Sequence, residues 1–468
     1  MIPVSLVDIQ EDSIVMDMCA APGNKSVQIL EIIQEKARDK GILPTGALIS
    51  NELDFKRGEK LVHFLQSQPT INVIATQCPA QDFPVITDEN LRPDIIFCDV
   101  PCSGDGTLRK NKGLRKRWRP DYALKNHQLQ IEILENSIRL CKIGGTIVYS
   151  TCSINPIENE AVIAYVAGKY RDCVELTEIN SRIKDNLNLK FSEGLVKWKI
   201  AYDWTDNKNI QWAHTFDQVK KNKSLVRESM FHEIYTQKNF QNNIYFSDPL
   251  NLRRTIRFYS HQNDSGCFYV AVIKKTKEIE LSSNNKLITD SIPLNNQTDK
   301  MLSIKDDLSE FMDQIGIEDR DCKNEKTELC HSFNENQNDK VNEEIHFDKF
   351  VKFSEYTDNF SNLNEFFNFS KDSNILLNQL YTLRTTSTKI LLFSKKLASL
   401  AASISRMNVT ILHAGLVCFT KERKELKCKV RRKYIYFLII VQNFSLWRNN
   451  SRKIYTESKN RHGDFSHK

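Results

Sequence analysis

The chain has 468 residues, room for two or three domains, and 40% of them are hydrophobic, so one part can bury a full core while others cannot. Its net charge is only +7, but between 301 and 350 fourteen carboxylates stand against six cations, so the remaining residues carry +15. That balance suits a polyanion such as nucleic acid. The twelve cysteines form no CxxC pair and no zinc-like Cys/His spacing, so a metal site is not expected. Met1-Ile2-Pro3-Val4-Ser5 lacks a basic, then long apolar, leader pattern. The apolar run from Tyr434 to Leu446 is broken by Gln442 and Asn443, short of the roughly 18–20 residues of a membrane span. An intracellular, reducing setting with free thiols and no membrane contact is expected.

Residues 1–275 read as alternating strands and helices. Strands are predicted at Ser13–Met18, Gly46–Asn51, Ile71–Ala75, Asp94–Asp99 and Gly145–Ser150, and helices at Lys25–Ala37, Lys56–Gln66 and Asp121–Cys141. In the last helix Leu124, Leu129, Ile133, Leu134, Ile138 and Leu140 fall near helical spacing, and Gly144-Gly145 ends the run. Such alternation predicts an α/β fold, a parallel sheet with helices on both faces. Thr255–Tyr259 and Phe268–Lys274 flank Asn263-Asp264-Ser265-Gly266, a predicted hairpin that closes the sheet. From 276 to 350 the chain is acidic and poor in aromatics, which predicts a disordered linker. Apolar segments return over 351–441, at Ile390–Phe393, Val409–Leu412, Leu416–Phe419 and Tyr434–Val441, and predict a small β-rich domain. Residues 442–468 read as a basic tail.

Four motifs sit where those strands end. Asp17-Met18-Cys19-Ala20-Ala21-Pro22-Gly23-Asn24-Lys25-Ser26 follows the first strand and opens a helix. Its small residues let a ligand approach the backbone at the helix start. It is neither GxGxxG nor a P-loop; the plainer reading is a tight turn. Glu52 ends the second strand, where a ribose can be gripped through its hydroxyls, although a solvated turn carboxylate is an equal reading. Asp99-Val100-Pro101-Cys102-Ser103-Gly104-Asp105-Gly106-Thr107 puts an acid and a thiol at the next strand end, against the alternative of a buried cysteine beside a loop. Ser150-Thr151-Cys152-Ser153-Ile154-Asn155-Pro156-Ile157-Glu158-Asn159-Glu160 puts a second thiol fifty positions on. Ser153 or Asn155 is expected to cap a helix starting near Pro156, and a helix start favours the thiolate. That reason prefers Cys152 as nucleophile over Cys19, Cys98 and Cys141. Between the thiols, Arg109, Lys110, Lys112, Arg115, Lys116, Arg117 and Arg119 form a cationic run with Trp118. A charge run is usually solvated surface, but directly after a pocket loop this one is better placed to hold RNA phosphates.

Taken together, these stretches resemble the Nol/Nop/Sun-domain family of RNA cytosine-5 methyltransferases, in its eukaryotic tRNA branch. The resemblance rests on Asp17–Gly23, Cys98–Thr107 and Tyr149–Glu158, with His261-Gln262-Asn263 and Phe268–Lys275 similar to that branch's closing hairpin. It covers roughly 1–275 and, more weakly, 385–438, which resembles a PUA-like RNA-binding module. The resemblance implies a Rossmann-like, S-adenosylmethionine-dependent methyltransferase sheet acting on tRNA, as a monomer, in the nucleus or nucleolus. It implies that Cys19, Ala20, Ala21, Pro22, Gly23, Asn24 and Lys25 hold the cofactor's methionine side and Glu52 its ribose. Asp99 then lies between cofactor and cytosine, Cys152 is the nucleophile, and Cys102 assists product release. DNA cytosine-5 methyltransferases use the thiol of the Pro-Cys motif; having both thiols favours RNA. The resemblance also implies an N-terminal region ahead of the first strand, so a truncated product or an incomplete gene model is expected here. Pro79 stands where the family often has an acid on the adenine side, with Asp82 displaced from that position. A competing reading is an RNA-binding or assembly protein that has lost turnover.

Overall fold

A computed structural model of the chain describes residues 2–279, apart from 69, 188, 205–208, 221–223, 233–247 and 249. It further describes 350–352, 381–383 and 389–420 apart from 408. Nearly all of the predicted linker, much of the 351–441 module and all of the 442–468 tail lie outside the described residues.

In chain order, α1 (Ile2–Ser5) precedes β1 (Ile14–Asp17), α2 (Asn24–Lys40), β2 (Ala47–Asn51), α3 (Phe55–Leu65), β3 (Val73–Gln77) and β4 (Ile95–Asp99). Then come α4 (Lys112–Arg117), α5 (Asp121–Leu140), β5 (Thr146–Thr151), α6 (Glu160–Lys169), β6 (Val174–Leu176), α7 (Asn180–Leu187) and β7 (Ser192–Glu193). A separate ribbon of β8 (Ile200–Asp203) and β9 (Gln211–Ala213) follows, and β10 (Ile256–Phe258) and β11 (Phe268–Lys275) return to the sheet. Beyond these lie β12 (Phe350–Lys352), β13 (Tyr381–Leu383), β14 (Lys389–Phe393), α8 (Lys395–Ser405), β15 (Thr410–Ala414) and β16 (Leu416–Thr420).

The main sheet runs β15-β3-β2-β1-β4-β5-β11-β10-β7, with β6 also paired to β11. Pairings from β3 to β5 are parallel, and β11 closes the sheet antiparallel to β5. This is the α/β arrangement the strand–helix alternation predicts. Alternate side chains of each strand go to opposite faces. Ile14 and Met16 of β1, Ile49 of β2 and Ile96 of β4 join one buried cluster with Leu134 and Ile138 of α5. Val15, Leu48 and Phe97 join the other, with Ile29, Leu30 and Ile33 of α2. Burial on both faces explains why these strands read as continuous apolar runs.

Local chemistry sets the helix ends. Gly23 at φ 113 turns the chain into α2, and Gly41 at φ 67 stops it, donating its N–H to Ala37 and Arg38 carbonyls. Asp54 caps α3 by accepting from the Arg57 N–H at 2.7 Å. Between β10 and β11 the chain makes a helical turn over Ser260–Asn263, and Asp264 at φ 50 completes it, so the predicted hairpin carries a longer connection than a tight turn.

One expectation needs revising. The sequence reading placed Lys395–Ala414 inside a separate 351–441 module. Instead β15 pairs antiparallel with β3, and Leu397, Leu400, Ala401 and Ile404 of α8 enter the main core. The physical reason is the edge. Without β15, β3 would present unpaired backbone groups to solvent. Ser394 caps α8 onto the Leu397 N–H at 3.2 Å, and its own N–H bonds the Ile71 carbonyl at 3.3 Å. The remaining strands form a four-stranded antiparallel sheet, β12-β13-β14-β16.

Candidate active site

β1 is flanked by β2 on one side and β4 on the other, so the strand order reverses there. In open α/β sheets the crevice beyond the carboxyl ends at such a point is where ligands bind. Every motif singled out in the sequence lies at that edge.

The two thiols meet there. Cys102 Sγ and Cys152 Sγ are 3.2 Å apart, both are free, and both are half-buried. The hydrogen bond to Cys152 comes first in holding the Cys102 thiol well above its ordinary range. Burial and the neighbouring Cys152 and Glu158 add to it. Cys102 is therefore held in its protonated form. The helix-start argument for Cys152 fails in detail. A turn over Pro156–Asn159 intervenes and α6 begins only at Glu160, while Ser153 and Asn155 accept from Asn155 and Ile157 N–H within that loop. The helix is delayed because Glu158 and Asn159 turn inward as buried side chains.

Asp99 pairs with Lys25 and accepts from Ser150 Oγ at 2.7 Å. Burial works against the Lys25 charge, but the Asp99 carboxylate, helped by Asp17, overrides it and raises the lysine. Cys152 also acts on Lys25 electrostatically, so the cation, the acid and both thiols form one cluster.

The first motif wraps the start of α2, whose first turn has no side-chain cap. Its orphan N–H groups suit a carboxylate. Asp17 is buried, accepts from Ser26 Oγ at 2.8 Å, and leaves Oδ1 without a partner. Burial pushes it up to about 6, with Lys25 and Ser26 opposing. Carboxylate and ammonium partners are thus both present for the amino-acid end of S-adenosylmethionine, and the residues fit that group. Cys19 lies within this loop, its thiol pushed well up by burial and then by Glu52. Glu52 is at the end of β2 as expected, but it is buried and already engaged. It accepts from Ala21 N–H at 3.3 Å and Asp54 N–H at 3.1 Å, and pairs with Arg57 at 3.4 Å. A ribose would have to displace Arg57.

The cationic run forms α4, capped by Asn111, which accepts from the Leu114 N–H at 2.9 Å. Leu114 alone of the helix is buried, leaving Lys112, Arg115 and Lys116 exposed together with Arg109, Lys110 and Arg119. Arg117 is partly buried. Arg109 and Arg119 are tied to Asp264 and Asp121 at 2.5 and 3.0 Å.

Two further residues support the thiols, Gly106 within the Asp99–Thr107 motif and Arg257, which the sequence did not single out. Gly106 donates to the Cys152 carbonyl at 2.9 Å and accepts from the Cys267 N–H at 2.9 Å. A Cβ there would lie 2.5 Å from the Cys152 oxygen and 2.9 Å from Cys267 Cβ and oxygen. Gly106→Ala is therefore expected to push the thiols apart and slow oxidation of Cys102 and Cys152 to a disulfide, with a far-ultraviolet spectrum like that of the parent chain. Arg257 grips Glu160 and reaches the Ile154 carbonyl at 2.8 Å, two residues past Cys152.

Among the described residues no cluster of His, Cys, Asp and Glu could hold a metal, and no helix is long and apolar enough to cross a membrane. A multisite-specific tRNA:(cytosine-C(5))-methyltransferase of Saccharomyces cerevisiae is 31% identical over 313 residues, 65% of this chain and 42% of that protein. A tRNA (cytosine(34)-C(5))-methyltransferase of Drosophila melanogaster is 31% identical over 293 residues, 61% of this chain and 37% of that protein. A crystal structure of a methyltransferase homologue from Pyrococcus horikoshii is 23% identical, with a TM-score of 0.36 over 58% of this chain and 64% of that one. The chain thus spans about two fifths of the length of these two relatives. Residues 4–274 match the model of the 16S rRNA methyltransferase RsmB/F family, and the chain belongs to that family.

Proposed function

We propose that the protein is an S-adenosylmethionine-dependent tRNA cytosine-5 methyltransferase working through a covalent cysteine adduct. The observation that carries this is the thiol pair, 3.2 Å apart, beside the Lys25–Asp99 pair. Carbon 5 of cytosine is a poor nucleophile. A Cys152 thiolate adding to carbon 6 forms an S–C bond and moves the electron pair toward carbon 5, splitting one hard step into easier ones. Asp99, held by Lys25 and Ser150, meets the ring as charge develops. S-adenosylmethionine, when bound, supplies the methyl group as an activated electrophile that carbon 5 attacks. For release, the carbon 5 proton leaves, its electron pair restores the ring double bond, and the S–C6 bond breaks. Cys102, having passed its own proton to solvent, takes the carbon 5 proton, and Cys152 leaves as the thiolate it began as, so one proton in all goes to solvent.

Cys19–Lys25 and Asp99 hold the cofactor in this proposal, and Glu52 takes the ribose once Arg57 moves. The target base leaves its stack at a cost of about a few kcal/mol. Phosphate contacts from Arg109, Lys110, Lys112, Arg115, Lys116, Arg117 and Arg119 offset that cost. Replacing Lys112, Arg115 and Lys116 with glutamine is expected to weaken tRNA binding and flatten the salt dependence by about 1 in log–log slope per lost contact. Filter binding across a salt series checks it; an unchanged slope removes α4 from the interface.

The division into a catalytic unit over 1–275, an acidic linker over 276–350, a PUA-like module within 351–441 and a basic tail over 442–468 belongs to the same proposal. The four-stranded antiparallel sheet supports the module, with Lys395–Ala414 transferred to the catalytic sheet. A monomer and a nuclear location rest on the resemblance alone. Calorimetry with S-adenosylhomocysteine, then with tRNA, tests the reading: both must bind. Binding of tRNA without the cofactor product would support a non-catalytic RNA-binding protein instead.

A further inference from the structure

We propose that Glu158 is a positioning residue that locks the Cys102 loop against Cys152 and assigns the proton of the thiol pair to Cys102. The inference rests on the covalent methyltransferase reading and deepens it.

Glu158 has no exposed surface. Its Oε1 accepts from the Ser103 N–H at 2.8 Å, Asn126 Nδ2 at 3.1 Å and Gln130 Nε2 at 3.1 Å, and its Oε2 accepts from Ser103 Oγ at 2.5 Å. Gln130 also donates to the Pro101 carbonyl at 2.8 Å. Both neighbours of Cys102 in the chain, Pro101 and Ser103, are therefore fastened to one network. Glu158 itself stands on the loop that follows Cys152. Its carbonyl accepts from Tyr149 OH at 2.6 Å, which fixes that loop to β5. One carboxylate thus clamps the two thiol-bearing loops and α5 together.

Every partner of that carboxylate is a neutral donor. Four hydrogen bonds solvate a buried negative charge without cancelling it, as a cation would. The charge acts on the nearest titratable group on the clamped loop. Around Cys102 those groups are Cys152 across the gap, Glu158 beneath, Tyr149 on β5 and Asp105 on its own loop, with Lys25 and Asp99 beyond Cys152. The cation stands on the Cys152 side and the uncompensated carboxylate on the Cys102 side. That polarity keeps S–H on Cys102 and leaves Cys152 as the thiol of the pair that adds to the base.

The test titrates Cys102 directly, by the pH dependence of its iodoacetamide alkylation, read by peptide mass spectrometry on the full chain without RNA or cofactor. Glu158→Gln can keep its acceptors with Ser103 N–H, Asn126 and Gln130 and donate to Ser103 Oγ, so only the charge is lost. It is expected to lower the Cys102 midpoint by about one pH unit or more. Ser103→Ala leaves the charge and removes one hydrogen bond to it, so it is expected to shift the midpoint the other way. This second variant keeps the test open should Glu158→Gln not fold. Unchanged midpoints, or shifts of the same sign in both variants, overturn the proposal. Alkylation needs no methyl transfer, so an inactive protein with the expected opposite shifts would sink the methyltransferase reading and leave the thiol polarity standing.

Discussion

With Cys102 replaced by alanine, a tRNA transcript and S-adenosylmethionine are expected to leave a protein–RNA adduct that survives denaturing electrophoresis. Cys152→Ala is expected to leave none. The asymmetry follows from the geometry. Cys152 can add to carbon 6 without help from Cys102, because addition needs a thiolate and not an acid. Breaking the S–C6 bond after methylation needs a base for the carbon 5 proton, and the Cys102 Sγ, 3.2 Å from the adduct sulfur, is the group placed to take it. Alanine removes that base, and the methylated adduct accumulates. Turnover should fall by at least about 10²-fold, the usual scale for losing a positioned acid or base. An adduct in Cys152→Ala and none in Cys102→Ala would exchange the two roles.

The second large effect is structural. Arg257→Met is expected to destabilise the chain by about 3–5 kcal/mol, because it strands a buried carboxylate. Arg257 is 2% exposed and Glu160 not at all. Burial disfavours the Arg257 charge, yet Glu160 beside it raises the guanidinium further above its ordinary range. Against a typical total of about 5–15 kcal/mol the loss is severe. It also releases the Ile154 carbonyl, so the loop carrying Cys152 loosens with it. Urea denaturation checks the magnitude. Adding Glu160→Leu to Arg257→Met should recover part of the loss, although the Leu195 N–H that Glu160 accepts at 3.0 Å stays unpaired. A single variant as stable as the parent would show that the pair carries no net stabilisation.

The sheet was legible because β1, β2, β4 and β5 are almost entirely buried, with an apolar stretch of at least three residues in each. β3 was read two residues early. Its end, Thr76-Gln77, is polar, yet Thr76 stays in the ladder because its hydroxyl bonds buried Asn51 at 3.0 Å. The meeting of Cys102 and Cys152 could be anticipated, since adjacent parallel strands deliver their ends to one edge. What supports them could not. Arg257 sits in a strand-like run, and its partner Glu160 is 97 positions away. Glu158 looks like an ordinary helix-start acid until its side chain is seen turned inward onto Ser103. The pairing of β15 with β3 joins distant segments whose register no local pattern encodes.

The most direct test of the account is nucleoside mass spectrometry on a tRNA transcript incubated with the protein and S-adenosylmethionine. The account predicts 5-methylcytidine with the parent chain and none with Cys152→Ala. A parent chain that binds tRNA and S-adenosylhomocysteine but forms no 5-methylcytidine, or a Cys152→Ala chain that still forms it, would contradict the account.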